Sequence, residues 1–148
     1  MFTVNVRNLD REVREKVLAA LRRVIRAEAD ASGAPAPDIE ELYTFPLLVN
    51  DPEETAALRQ ALGAALGEEN VLDRPAQMGS EDFGHLPEAI GVPGVYWFFG
   101  GTPDDVLDGG KPVPTNHSPF FAPVMEPTLT TGVTAAVTAI LSRVGVAR

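Results

Sequence analysis

Residues 2–32, FTVNVRNLDREVREKVLAALRRVIRAEADAS, determine which fold the sequence predicts. At the beginning of this stretch Phe2, Val4 and Val6 alternate with polar residues, which is the period-two pattern of a half-buried strand. The remainder is predicted to be a helix that is capped by Asp10. Its apolar residues recur at spacings of three and four and form one stripe: Val13, Val17, Leu21, Val24 and Ala27.

A second strand is predicted over residues 38–45, after a break marked by Gly33, Pro35 and Pro37. The order strand, helix, strand is half of a β-α-β-β-α-β sandwich. We therefore expect the apolar stripe of the helix to pack on strands at residues 2–7 and 38–45. The other half of the sandwich is expected to lie upstream of this stretch.

Residues 47–148 are predicted to form a second domain, since the composition turns to Pro, Asn and Asp where they begin. Asp51 followed by Pro52 is a typical helix start. Residues 95–99 form a continuous apolar run, the pattern of a strand that is covered on both faces. The first helix of this domain has the apolar ridge Leu58, Leu62 and Leu66, and the last helix has the apolar face Leu129, Val133, Val137, Ile140 and Val144.

The composition argues against several classes of protein. The 148 residues carry 12 Lys and Arg against 21 Asp and Glu, a formal net charge of -9. Because such a surface repels a phosphate backbone, we expect no nucleic-acid partner. The absence of cysteine excludes disulfides, thiolate metal sites and thiol catalysis. Neither a Gly-x-Ser-x-Gly elbow nor a phosphate-binding glycine motif is present.

The protein is predicted to be cytoplasmic. No apolar segment typical of a signal peptide follows Met1. No uninterrupted apolar run is long enough to span a bilayer, so no membrane partner is expected. The lack of cysteine fits a reducing compartment.

Three sites contain residue types that could take part in chemistry. Glu81, within Gly79–Phe83, is either an acid that meets the dipole of a helix capped by Ser80, or a carboxylate that can bind a metal-bound water or a substrate amine. A lone histidine in a loop is more often a hydrogen-bonded structural residue than a metal ligand, but the place of His117 in a loop after a buried strand adds support to the interpretation as a ligand. Gly100 and Gly101 either end the strand or let the backbone approach a ligand closely.

Four motifs occur in an order that resembles one family of enzymes. They are Val49-Asn50-Asp51, then Met78 to Phe83, then Pro93 to Gly100, then Asn116-His117-Ser118-Pro119-Phe120-Phe121, with a closing helix after Glu126-Pro127. In this order the chain resembles the C-terminal portion of the metal-dependent amidohydrolases. That family includes aminoacylase, hippurate hydrolase, the auxin-conjugate hydrolases and related zinc peptidases.

The resemblance implies a fold with two parts. Residues 1–46 resemble the second half of an inserted ferredoxin-like domain, which serves as a lid or dimerisation surface. Residues 47–148 resemble the C-terminal part of an α/β catalytic domain of the metallopeptidase type. The implied fold class is therefore α/β with an α+β insert.

The resemblance also assigns residues. His117 aligns with the last metal-binding histidine of the family, and Glu81 aligns with an acidic position near the site. Apart from the resemblance, Gly100 and Gly101 are candidates for contact with or support of the substrate because of their place after the predicted strand. No catalytic residue is assigned within the chain, because the general base and the remaining ligands belong to the family's N-terminal segment. The complete enzyme is expected to hold zinc or manganese, with cobalt and nickel also open, whereas the chain alone is expected to bind no metal tightly.

Two functions stay open at this point. The first is an amidohydrolase that acts on N-acyl amino acids or small peptides, with this chain as a fragment that lacks most of the active site. The alternative is a non-catalytic remnant that persists as an interaction or dimerisation module. We expect a homo-oligomer, because a half-domain leaves strand edges unpaired and its core open.

Overall fold

A computed structural model describes residues 1–144, and residues 145–148, the end of the predicted second domain, lie outside the described residues. The α-helices within residues 1–144 are α1 (Arg11–Ser32), α2 (Pro52–Leu66), α3 (His85–Ile90), α4 (Asp104–Leu107) and α5 (Thr128–Val144), and a 3-10 helix covers Glu68–Asn70. In this part of the chain no helix is long and apolar enough to cross a membrane.

The predicted α/β fold is wrong, because residues 1–144 contain helices but no β-strand. The segments predicted to be strands, residues 2–7, 38–45 and 95–99, are irregular. A strand is stabilised by a ladder of hydrogen bonds to a neighbouring strand, and no such ladder forms among the described residues. The period-two pattern therefore does not lead to a ferredoxin-like domain at residues 1–46.

Two compact units make up the chain. Unit 1 comprises residues 1–49 and 74–94, and unit 2 comprises residues 50–73 and 95–148. Helices α1 and α3 belong to unit 1, whereas α2, α4 and α5 belong to unit 2.

Helix α1 begins and ends at residues that suit these positions. The Asp10 carboxylate accepts a hydrogen bond from the Val13 amide at 2.9 Å, which confirms Asp10 as the N-cap. At the other end Gly33 has a φ of 67°, a left-handed conformation that favours glycine and ends the helix. Its amide donates a hydrogen bond to the Asp30 carbonyl at 3.1 Å.

The prediction of which face of α1 is buried is wrong. Val13, Val17 and Val24 are 47%, 40% and 51% exposed. The half-buried stripe is rotated relative to the predicted one, and it contains Arg14, Leu18, Leu21, Ile25 and Ala29. A cluster of ion pairs lies on this side of the helix and joins it to the segment that follows the helix.

Glu41 is at the centre of this cluster. Its carboxylate accepts hydrogen bonds from the Thr44 hydroxyl at 2.6 Å, from the Arg14 guanidinium at 2.9 Å and from the Arg22 guanidinium at 3.1 Å. The Thr44 hydroxyl, followed by Arg14, lowers the pKa of Glu41. Because the cluster is exposed, water and salt screen its contribution to stability, and its main effect is to fix the position of residues 41–44.

We expect Glu41→Gln to lower stability slightly at neutral pH and not at all in acid. A depressed folded-state pKa means that the stabilisation by Glu41 is present above its unfolded pKa and is lost as pH falls through the folded value. Urea unfolding at neutral and acidic pH measures this difference. Glu40→Gln, a change at the neighbouring exposed residue, is the control. If Glu41→Gln were still less stable than the wild type in acid, the charge of Glu41 would not be the cause of the lost stability.

Unit 2 is built on the packing of α2 against α5. Leu58 and Leu62 of α2 and Ala135 of α5 are buried, and Leu66 and Val95 pack against them. The ridge predicted for α2 is thus in contact with the core. An ion pair between α5 and α2 joins Arg143 to Glu54.

The start of α2 is confirmed as predicted. The Asp51 carboxylate accepts hydrogen bonds from the amides of Glu53 at 3.0 Å and Glu54 at 2.9 Å. Pro52 occupies the first helical turn, where its missing amide hydrogen leaves no donor unsatisfied. The beginning of α2 is therefore fixed by its own sequence.

The apolar face of α5 does not pack within unit 2. Its members are between 48% and 69% exposed: Leu129, Val133, Val137, Ile140 and Val144. The side of α5 that packs within unit 2 is instead the one with small residues. Ala135 is buried there, and a Cβ atom at Gly132 would lie 3.1 Å from the ring of Phe99. Small residues let neighbouring groups approach the helix axis closely, which explains why this side is the packed one.

Candidate functional site

His117 lies in unit 2, between α4 and α5, in residues 102–123, which we term the histidine loop. Its backbone φ is 69°, in the left-handed region that is rare for residues other than glycine. The Ser118 amide donates a hydrogen bond to the Thr115 carbonyl at 3.1 Å, so residues 115–118 form a tight turn. The left-handed conformation costs about 1–2 kcal/mol, and conformations of this kind concentrate at functional sites.

Ser118 fixes the residues that follow the histidine. Its hydroxyl accepts a hydrogen bond from the Phe120 amide at 3.2 Å, and its carbonyl accepts one from the Phe121 amide at 3.1 Å. His117 itself is exposed. The turn therefore places the imidazole at the surface of unit 2 on a hydrogen-bonded backbone.

The histidine loop is closed at its base by Gly101. The Gly101 carbonyl accepts a hydrogen bond from the Val124 amide at 2.9 Å. A Cβ atom at position 101 would lie 2.9 Å from the Cβ of Pro123 and 3.4 Å from the methyl group of Thr128, so glycine fits there without a shift and a larger residue does not. At Gly100 a Cβ atom would meet nothing within 4 Å. Glycine is therefore sterically required at position 101 but not at position 100.

Sequence reasoning missed a contact between Asn50 and Tyr96. The Asn50 side-chain nitrogen donates to the Tyr96 carbonyl at 2.8 Å, and the Tyr96 amide donates to the Asn50 side-chain oxygen at 2.8 Å. The side chain thus pairs with the backbone much as a neighbouring strand would. The sequence does show an amide side chain directly before the cap of α2, but this does not identify a partner 46 residues away.

Glu81 lies in unit 1, in the turn before α3. Its Oε1 atom accepts hydrogen bonds from the amides of Asp82 at 2.9 Å and Phe83 at 3.0 Å. Glu81 also lines a cavity of about 230 Å³, together with Phe45, Ser80 and Asp82. This volume is below the roughly 300–1,000 Å³ of typical ligand pockets. Glu81 therefore shapes the turn and borders a small, open depression of the surface.

The described residues do not by themselves fit a metal centre. Residues 1–144 contain no group of three or more His, Cys, Asp and Glu side chains that could hold a metal ion. His85, the other histidine of the chain, begins α3 in unit 1. Zinc sites in proteins use three or four protein ligands. His117 would need ligands from elsewhere to take part in such a site.

Known proteins resemble this chain over the region that contains the candidate residues. The sequence model of peptidase family M20/M25/M40 matches residues 32–142, which include both Glu81 and His117. A protein of Bacillus subtilis (strain 168) named "Putative amidohydrolase YhaA" is 29% identical over 117 residues, or 78% of this chain. The chain spans 27% of the length of that relative.

Proposed function

This chain belongs to peptidase family M20/M25/M40, and from this premise we propose that it forms part of a metal-dependent amidohydrolase. Members of the family are hydrolases that generally depend on metal ions. The proposed reaction is the hydrolysis of an amide bond in N-acyl amino acids or small peptides. The family match over residues 32–142 carries this proposal, and the relative named as an amidohydrolase supports it.

In this proposal His117 is a metal ligand, and the metal of the complete enzyme is zinc or manganese. Imidazole is the commonest metal ligand in proteins. The left-handed turn supports this role, because an unfavourable backbone conformation is retained where a side chain has to stand in one place. His117 is exposed in this chain, so its imidazole is accessible to a metal and to ligands from elsewhere in the complete enzyme.

The remaining ligands and the general base are proposed to come from a part of the enzyme outside this chain. Metal-dependent amide hydrolysis needs an activated water and a group that accepts its proton. Residues 1–144 supply one candidate histidine and no cluster of ligands. In the complete enzyme, residues 47–148 would belong to the catalytic domain, and residues 1–46 to the lid or dimerisation domain.

Glu81, Gly100 and Gly101 are proposed to support or line the substrate site. Glu81 borders the cavity of unit 1. The open space around Gly100 suits the close approach of a substrate group to the backbone. Gly101 supports the site indirectly. Its carbonyl closes the base of the histidine loop, and Gly100 does not take part in this contact.

A second candidate function is that of a non-catalytic interaction or dimerisation module. The aliphatic residues of α5 and the valines of α1 are exposed. Exposed apolar surface of this kind marks sites of association. We propose homo-oligomerisation under both functions, and a small-molecule amide substrate under the first.

The first function is tested with what we term the completed enzyme: this chain preceded by the N-terminal part of the Bacillus relative or of its own reading frame. We expect the completed enzyme to hydrolyse N-acetyl or N-benzoyl amino acids with zinc or manganese, and to lose activity on chelation. The chain alone is expected to have no amidase activity and no submicromolar zinc site. Loss of a residue that only supports a ligand weakens binding roughly 10–100-fold, and loss of most ligands weakens it by far more.

Two outcomes decide between the candidate functions. Submicromolar zinc binding by residues 1–148 alone would contradict the proposal that ligands come from elsewhere. A completed enzyme that folds, by circular dichroism, but hydrolyses none of these amides would favour the interaction module.

A further inference from the structure

We infer that Asn50 is a positioning residue for His117, and that it acts through the backbone of residues 96–101 and the base of the histidine loop. The inference deepens the proposed function and rests on it for its consequence in catalysis. The mechanical connection itself lies within unit 2 and involves no metal. It consists of three links, each of which the geometry supports separately.

The first link attaches Asn50 to the best-packed part of unit 2. Asn50 directly precedes Asp51, whose carboxylate binds the first amides of α2. Helix α2 in turn packs against α5, where Leu62 and Ala135 are buried. The Asn50 backbone therefore has little freedom to move relative to α2 and α5.

The second link joins Asn50 to Tyr96. Both hydrogen bonds have a length of 2.8 Å, and they use the amide hydrogen as well as the carbonyl oxygen of Tyr96. Asparagine suits this contact because its side chain offers a donor and an acceptor side by side. An aspartate would offer acceptors only, and an alanine neither. The adjacent Val95 packs against the buried cluster of unit 2. The hydrogen bonds between Asn50 and Tyr96 therefore lie next to the core.

The third link runs from this segment to the histidine loop. The ring of Phe99 lies against Gly132 of α5, and the Gly101 carbonyl binds the Val124 amide. Gly101 and Val124 flank the two ends of the loop. A shift of residues 96–101 would therefore move Gly101 away from Val124. The hydrogen bond between them would break, and the histidine loop would gain conformational freedom.

The test is amide hydrogen exchange and imidazole NMR on the full chain of residues 1–148, without metal. In Asn50→Ala we expect exchange to become about tenfold faster at both Tyr96 and Val124. The imidazole signals of His117 should shift or broaden. Asn50→Asp should keep part of the protection at Tyr96, because the introduced carboxylate still accepts from its amide.

Asn70→Ala is the matched control. It removes a hydrogen bond of 2.8 Å from an asparagine side chain to the Leu66 carbonyl, at the end of α2 and outside the three links. We expect exchange at Val124 and the His117 signals to stay as in the wild type. Gly101→Ala and Gly100→Ala form a second pair that acts on the base directly. The first should deprotect Val124, because the added Cβ would lie 2.9 Å from Pro123, and the second should not.

Either of two results would overturn the inference. One is faster exchange at Tyr96 in Asn50→Ala with unchanged exchange at Val124 and unchanged His117 signals, because Asn50 would then have a local structural role only. The other is unchanged exchange at Val124 in Gly101→Ala. Failure of the proposed function is a separate result, since it would appear as His117→Ala leaving zinc binding intact in the completed enzyme.

Discussion

In the completed enzyme, His117→Ala is expected to lower the rate of amide hydrolysis by more than about 100-fold while the protein stays folded. The estimate follows from the roughly 10–100-fold effects of residues that merely orient a ligand, since a ligand itself contributes more. Activity with N-acyl amino acids, measured at saturating zinc, is the readout. Full activity would contradict the assignment of His117 as a ligand.

The left-handed backbone at His117 provides a sharper control. Alanine disfavours a φ of 69°, so His117→Ala changes both the imidazole and the backbone. Glycine adopts this conformation freely, so His117→Gly removes the imidazole without opposing the turn. Both variants should lose activity, whereas His85→Ala should keep it. Loss in alanine but not in glycine would mean that the turn matters and the imidazole does not.

In the chain itself, Leu62→Ala is expected to lower the free energy of unfolding by about 2–3 kcal/mol. Leu62 is 7% exposed and is one of three buried hydrophobic residues in the described part of the chain. A core this small has few neighbours that could move in and fill the space. Urea unfolding followed by far-UV circular dichroism, which reports on all helices together, measures the loss of stability.

Ile140→Ala is the control for this prediction. Ile140 is 60% exposed and belongs to the apolar face of α5. A surface change of this kind alters stability by about 0.5 kcal/mol or less. If Ile140→Ala were as destabilising as Leu62→Ala, α5 would pack in the chain through its large aliphatic side and the arrangement described for unit 2 would be wrong.

Local features of the fold could be predicted from the sequence because they depend on neighbouring residues. Asp10 and Asp51 cap the helices that follow them, since each carboxylate bonds an amide two or three residues ahead. Strands are predicted at residues 2–7 and 38–45, but the structure has none there. An alternating pattern gives a strand a face, but a strand exists only where a second one pairs with it.

The buried faces of the helices could not be predicted either, and for a related reason. Hydrophobic periodicity shows which residues share a side of a helix, not which side meets a neighbour. On α1 the half-buried side carries Arg14 and Arg22, which bind Glu41 beyond the end of the helix, and a hydrophobic pattern does not contain such contacts. On α5 it is set by Gly132 and Ala135, which are too small to stand out in a hydrophobic pattern.

For the candidate site, the sequence identified residue types but not their connections. His117, Gly100 and Gly101 stood out by type and by their place in a glycine- and proline-rich region. The hydrogen bond from Val124 to Gly101 closes a long loop, and no local pattern predicts such a contact. The pairing of Asn50 with Tyr96 could not be predicted either, because the two residues are 46 positions apart in the sequence.

We propose that His117 binds the metal of the amidohydrolase of which this chain forms a part. Calorimetric titration of zinc into the metal-free completed enzyme tests it most directly, with wild type, His117→Gly and His85→Ala compared under one buffer. We predict tight stoichiometric binding in wild type and His85→Ala, and an affinity lower by more than about 100-fold in His117→Gly. Equal zinc affinity and stoichiometry in all three proteins would contradict the claim.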